Sequence, residues 1–137
     1  CLNGTPVSDI SALFRLQKLH TLHLEYTHVS DLAPLVNLGN LQTLHLDGAP
    51  IADVSPLSGL TNLRRVILYE TQTRDVAPLI GLTKLKWLCM HSTRVSKEQV
   101  ADLRRALPNC WIVVGDMTHR WPGQGQLIPR MNEPSFH

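Results

Sequence analysis

A leucine returns every 22 residues along most of this chain, at Leu19, Leu41, Leu63, Leu85 and Leu107. Three positions after each stands a second apolar residue: Leu22, Leu44, Val66, Leu88 and Cys110. Two further on stands a third: Leu24, Leu46, Leu68, Met90 and Ile112. A fixed period of this length arises when one small structural unit is used over and over. It predicts a solenoid whose narrow core is rebuilt in every turn, not a globule around one centre. That architecture favours binding along an open surface and leaves the ligand unnamed.

Residues 19–40 show what one turn contains. Leu19, Leu22 and Leu24 are interleaved with polar His20, Thr21, His23 and Glu25, the alternation of a short strand with one face inward. Val29, Leu32, Leu35 and Leu38 follow at spacings of three, which suits a 3₁₀ turn. Asp31 precedes that turn and Pro34 sits just inside it; the pair recurs as Asp53/Pro56 and Asp75/Pro78, and Asp9 opens the motif without its proline. A carboxylate at such a start accepts from free backbone N–H groups, and proline tolerates the first turn. Gly59 and Gly81 are expected to end their turns in the left-handed region.

A turn this short has no room for an α-helix in every repeat. The fold class predicted is an α/β-type solenoid, with about five stacked parallel strands inside and 3₁₀ or extended segments outside. The last repeat differs. In Ser96–Ala106, Ser96 and Gln99 form a capping box, and Val100, Leu103 and Leu107 share a helical stripe. This predicts one α-helix near residues 96–107, then a strand over Cys110–Val114, as a terminal cap. Residues 1–115 are read as the solenoid. Residues 116–137, with Pro122, Pro129 and Pro134, are read as a disordered tail. Leu2, Thr5 and Val7 match the second half of a strand, so the first repeat is read as truncated: either the chain is a fragment of a longer repeat protein, or its gene model begins late.

Composition narrows the function. Hydrophobic residues make up 43 % of the 137 but aromatics 5 %, so leucine carries the interior. No apolar run approaches the roughly 18 residues a membrane span needs, and no signal peptide is evident. Net charge is +2, but residues 64–137 hold 11 of the 13 Lys and Arg against 6 of the 11 acids. That half carries +5 and suits an acidic partner. With Cys110 read as inward and Cys89 as outward on adjacent strands, no disulfide is expected. Free thiols lean toward a reducing compartment such as the cytoplasm.

Outward strand positions are not needed for the core, so they are where function is written. At the 22-residue period one row reads Cys1, His23, His45, Ile67, Cys89, Trp111. The next reads Asn3, Glu25, Asp47, Tyr69, His91, and a flanking row Thr21, Thr43, Arg65, Trp87, Asn109. Arg65, Ile67, Tyr69, Trp87, Cys89, His91 and Trp111 therefore form a candidate patch for a protein partner, rich in the residue types that anchor interfaces. His23, Glu25, His45 and Asp47 make a square whose donors suit a divalent metal. Its flatness speaks against one, so no metal or cofactor is assigned. Arg64, Arg65, Lys86 and Trp87 lack a groove-entering helix, and nucleic acid is not expected. Cys89 and His91 share a face as a thiol and base do, but no acid orients them, so no catalytic residue is assigned.

The strings LHTLHLEYTHV, LQTLHLDGAPI and LKWLCMHSTRV, with a degenerate LRRVILYETQT, resemble the leucine-rich repeat family over residues 1–115. The 22-residue length and the Val-Ser-Asp-x-x-Pro-Leu segment resemble the short repeats of bacterial internalins and of protein phosphatase 1 regulatory subunits. The resemblance implies a protein-binding solenoid that uses its concave face; the alternative is a structural part of a longer repeat protein whose site lies elsewhere. The family's ladder Asn is replaced here by Thr5, Thr27, Ala49, Thr71 and Thr93. Ala49 has no hydroxyl to satisfy its turn, which is expected to be looser. Thr73, in place of Val or Ile, marks the least regular repeat.

Overall fold

The computed structural model describes residues 2–91 and 93–114; the expected tail over 116–137 lies outside them. Five parallel strands form one sheet in sequence order: β1 (Thr21–His23), β2 (Thr43–His45), β3 (Arg65–Ile67), β4 (Trp87–Cys89) and β5 (Trp111–Val113). The expected half-strand is present as pairing: the Leu2 and Gly4 N–H groups donate to the carbonyls of His23 and Glu25 at 3.0 and 2.8 Å. Leu22, Leu44, Val66 and Leu88 point inward from the strands, and Leu24, Leu46, Leu68 and Met90 follow them into one continuous buried column.

The outer side closes that column with 3₁₀ turns at Ser11–Arg15, Ala33–Leu35, Ser55–Leu57 and Ala77–Leu79. Before each turn an Asp carboxylate (Asp9, Asp31, Asp53, Asp75) accepts from the backbone N–H two residues on, each at 2.9 Å. This is the role the Asp–Pro spacing predicts. The 3₁₀ turns deliver Leu35, Leu57 and Leu79 into the core.

Gly59 and Gly81 do not take the left-handed conformation. Their turns run out through right-handed Ser58 and Ile80, so no reversal is needed there. Among the described residues the positive-φ positions are instead Gly4, Tyr26, Gly48 and Glu70, again 22 apart, at the exits of the N-terminal half-strand, β1, β2 and β3. A second periodic device lies at the entry to the strands: Asn40 and Asn62 donate to the carbonyls of Gln17 and Gly39 at 2.8 and 2.7 Å, tying successive repeats together.

The threonine ladder works as expected. Thr5, Thr27, Thr71 and Thr93 donate to the carbonyl three residues back at 2.7–2.9 Å. At Ala49 the turn is not loosened: its own N–H takes the Leu46 carbonyl at 3.0 Å, and Ala49 is fully buried. Thr73 is buried with its hydroxyl 3.0 Å from Thr71 Oγ1 and 3.2 Å from the Ile51 carbonyl, so the irregular repeat holds a satisfied polar pair.

The helix α1 (Lys97–Ala106) is capped by Ser96, whose Oγ accepts from the Gln99 N–H at 3.2 Å. The reciprocal half of the capping box is not made. Gln99 Oε1 accepts from the Val76 N–H at 2.8 Å and its Nε2 donates to Asp75 at 3.2 Å, fastening the helix to the preceding repeat.

One register expectation is overturned. Trp111 pairs with Trp87, Ile112 with Leu88 and Val113 with Cys89. Trp111 therefore belongs to the Arg65/Trp87 row and not beside Cys89, and Cys110 precedes the strand. A ten-residue helix of about 15 Å replaces a three-residue turn of about 6 Å on the outer side. The final repeat is longer by two residues: 24 positions separate Trp87 from Trp111, where 22 separate Arg65 from Trp87.

Candidate functional site

The strand rows place outward side chains in columns across the sheet, with Thr21, Thr43, Arg65, Trp87 and Trp111 in one and His23, His45, Ile67, Cys89 and Val113 in the next. In the first column the rings of Trp87 and Trp111 stack with centroids 6.4 Å apart and planes at 22°. The Arg65 guanidinium carbon lies 5.9 Å from the Trp87 centroid. A cation over an indole face is attracted by the ring's negative π cloud, and an offset pair of indoles adds its own attraction. Tyr69 meets His91 edge-on, at 6.3 Å and 86°.

Six of the seven predicted contact residues (Arg65, Ile67, Tyr69, Trp87, Cys89 and Trp111) are half-buried on this face, and His91 is buried. The structure brings them together as one band across β3, β4 and β5. Sequence reasoning missed the indole stack because it set Trp111 one column away. Trp111 Nε1 is buried with no hydrogen-bond partner among the described residues. Burial raises the Cys89 thiol above the ordinary range, and pushes Cys110 up to about 12. Both thiols are free. Burial and then Glu70 raise the Tyr69 hydroxyl.

The other half of the concave face is polar. His23 Nδ1 lies 2.9 Å from Glu25 Oε2, and His45 Nδ1 lies 3.8 Å from the same oxygen. The two imidazole planes are inclined at 37° with centroids 4.5 Å apart. Asn3 Nδ2 donates to Glu25 Oε1 at 2.7 Å. His45 titrates below its ordinary value because burial, and then neighbouring His23, disfavour its cation. Asp47 is pushed up to about 6, chiefly by burial, and its Oδ1 has no hydrogen-bond partner among the described residues.

A separate cleft in the loops after β2, β3 and β4 is lined by Ala52, Gln72, Arg74, Asp75 and Arg94. Among the described residues no helix is long and apolar enough to cross a membrane.

No protein-family model matches the chain, and no curated protein is significantly similar to it. Solved structures are. An internalin C2 from Listeria monocytogenes is 35 % identical, with a TM-score of 0.76 over 85 % of this chain and 53 % of its own. A leucine-rich repeat protein from Leptospira interrogans is 23 % identical, with a TM-score of 0.72 over 79 % of this chain and 29 % of its own. The SNF/U2A′ complex from Drosophila melanogaster matches at 21 % identity and a TM-score of 0.58, over 80 % of this chain and 66 % of its own. The chain thus spans about half the length of the internalin.

Proposed function

Given that the chain has a leucine-rich repeat fold of the internalin-like kind, we propose that it is a non-catalytic protein-binding module that works through its concave face. Repeat modules of this class serve protein interaction. The contact residues are Arg65, Ile67, Tyr69, Trp87, Cys89, His91 and Trp111, and the partner presents an acidic surface. The observation that carries this reading is the Arg65–Trp87–Trp111 column, a cation and two stacked indoles on the outward side of the sheet. Such groups have no core duty in the repeat, and Trp, Tyr and Arg are the side chains that dominate interface energies. The excess of Lys and Arg in residues 64–137 adds attraction for an acidic partner.

The test is a pull-down with this chain, followed by titration of the captured protein. Tyr69→Ala and Trp87→Ala should each weaken binding by about 2 kcal/mol or more and leave the fold intact. Thr21→Ala and Thr43→Ala, at the far end of the same column, should matter little. Binding unchanged by both aromatic substitutions would place the site elsewhere.

A further inference from the structure

At the opposite end of the concave face from the indole stack, three side chains converge on one point. We propose that His23, Glu25 and His45 bind a divalent transition-metal ion, with Zn²⁺ the ion their chemistry fits best. One ligand atom from each lies within 4.8 Å of the others. Nitrogen and oxygen donors bind zinc at about 2.0–2.2 Å, so tetrahedral ligand atoms stand roughly 3.3–3.5 Å apart. The 2.9 Å and 3.8 Å separations from Glu25 Oε2 to the two Nδ1 atoms bracket that edge. Two imidazoles and one carboxylate are a borderline set, suited to zinc in preference to calcium or magnesium.

The support around these residues is built as metal sites are. Asn3 holds Glu25 through Oε1, leaving Oε2 as the oxygen shared by both histidines. Outer contacts of this kind fix a ligand's orientation. His23 and His45 are locked opposite one another by parallel strand pairing. Asp47 lies two residues beyond His45, with a buried oxygen that lacks a hydrogen-bond partner among the described residues. Against the flatness expected from the strand positions stands Glu25, whose Oε2 lies within 3.8 Å of both Nδ1 atoms. Three protein ligands leave a fourth position on the concave side, open to water or to a donor from a bound protein.

The experiment is titration of Zn²⁺ into the full chain after EDTA treatment and exchange into metal-free buffer, followed by calorimetry. The expected result is one saturable site per chain. Asn3→Ala should weaken it by roughly tenfold or more, the usual effect of removing an outer-shell group. His45→Ala and Glu25→Gln should weaken it further, and His20→Ala, outside the cluster, should leave it unchanged. Circular dichroism checks folding, and the isosteric Glu25→Gln carries the test if His45→Ala does not fold. Co²⁺ in place of zinc should give visible d–d bands without sulfur-to-cobalt charge transfer. The proposal is overturned by the absence of a saturable site, by affinity that survives both ligand substitutions, or by a thiolate band. None of these outcomes bears on the aromatic column, so the protein-binding reading stands or falls separately.

Discussion

Trp111 stands in register with Trp87 across β4 and β5, and their indoles stack 6.4 Å apart. The pair exists because the last repeat is two residues longer than the others, which slides Trp111 into the column of Arg65. A double-mutant cycle on Trp87→Ala and Trp111→Ala, read by denaturant unfolding, should give a coupling of about 0.5–1.5 kcal/mol. Strict additivity would mean that the rings do not interact.

The inward and outward assignments of β2 can be separated energetically. Leu44 is fully buried, and Leu44→Ala should cost about 2–5 kcal/mol through the cavity it leaves. His45→Ala, measured in metal-free buffer, should cost less than about 1 kcal/mol. Urea titrations of the two variants that give equal losses would contradict the strand facing.

Gly48 is constrained twice. Its φ is +71°, and a Cβ built there runs into the ring of Tyr26. Gly48→Ala should therefore cost more than the roughly 1–2 kcal/mol of a left-handed alanine alone. Adding Tyr26→Ala should recover the steric part and leave the backbone part. A double variant no more stable than Gly48→Ala would remove the ring from the argument.

Gln99 spans two repeats, so its loss should exceed that of an ordinary cap. Gln99→Ala strips the Val76 N–H of its acceptor, and an unsatisfied part-buried donor costs about 1–3 kcal/mol. Ser96→Ala should cost about 1 kcal/mol. Thermal unfolding that ranks the serine above the glutamine would restore the simple capping box.

Cys89 and Cys110 should resist alkylation in the native protein. Burial raises both thiols, Cys110 to about 12, so thiolate is scarce at pH 8. Because the folded values lie above the unfolded ones, the associated stability is fully present below the ordinary thiol range and is lost as pH rises toward 12. Iodoacetamide labelling with peptide mapping should find both protected until denaturant is added. Rapid native labelling of Cys110 would mean that its burial is overstated.

The solenoid was legible because each inward residue of β1–β4 recurs at a fixed interval, and the Asp–Pro pairs announce each outer turn. The α-helix was legible from Ser96 and the Val100/Leu103/Leu107 stripe. What escaped depends on path length and rotamer. A helix advances less per residue than a 3₁₀ turn, so counting in steps of 22 misplaced Trp111 and Cys110. The left-handed positions fell at strand exits, where Tyr26 and Glu70 carry no glycine signal. The rows gathered His23, Glu25 and His45, but the approach of both imidazoles to one Glu25 oxygen is a side-chain choice that periodicity does not encode.

The asparagine ties from Asn40 to Gln17 and from Asn62 to Gly39 each reach back 23 residues, to the neighbouring repeat. This protein can therefore be lengthened in whole units. A 22-residue unit spliced between β2 and β3 would meet a matching socket on either side, whereas one residue inserted within a strand would turn the rest of that strand inside out. Grafting can move the histidine pair and the indole column apart in fixed steps of about 4.8 Å, a molecular ruler with a polar end and an aromatic end.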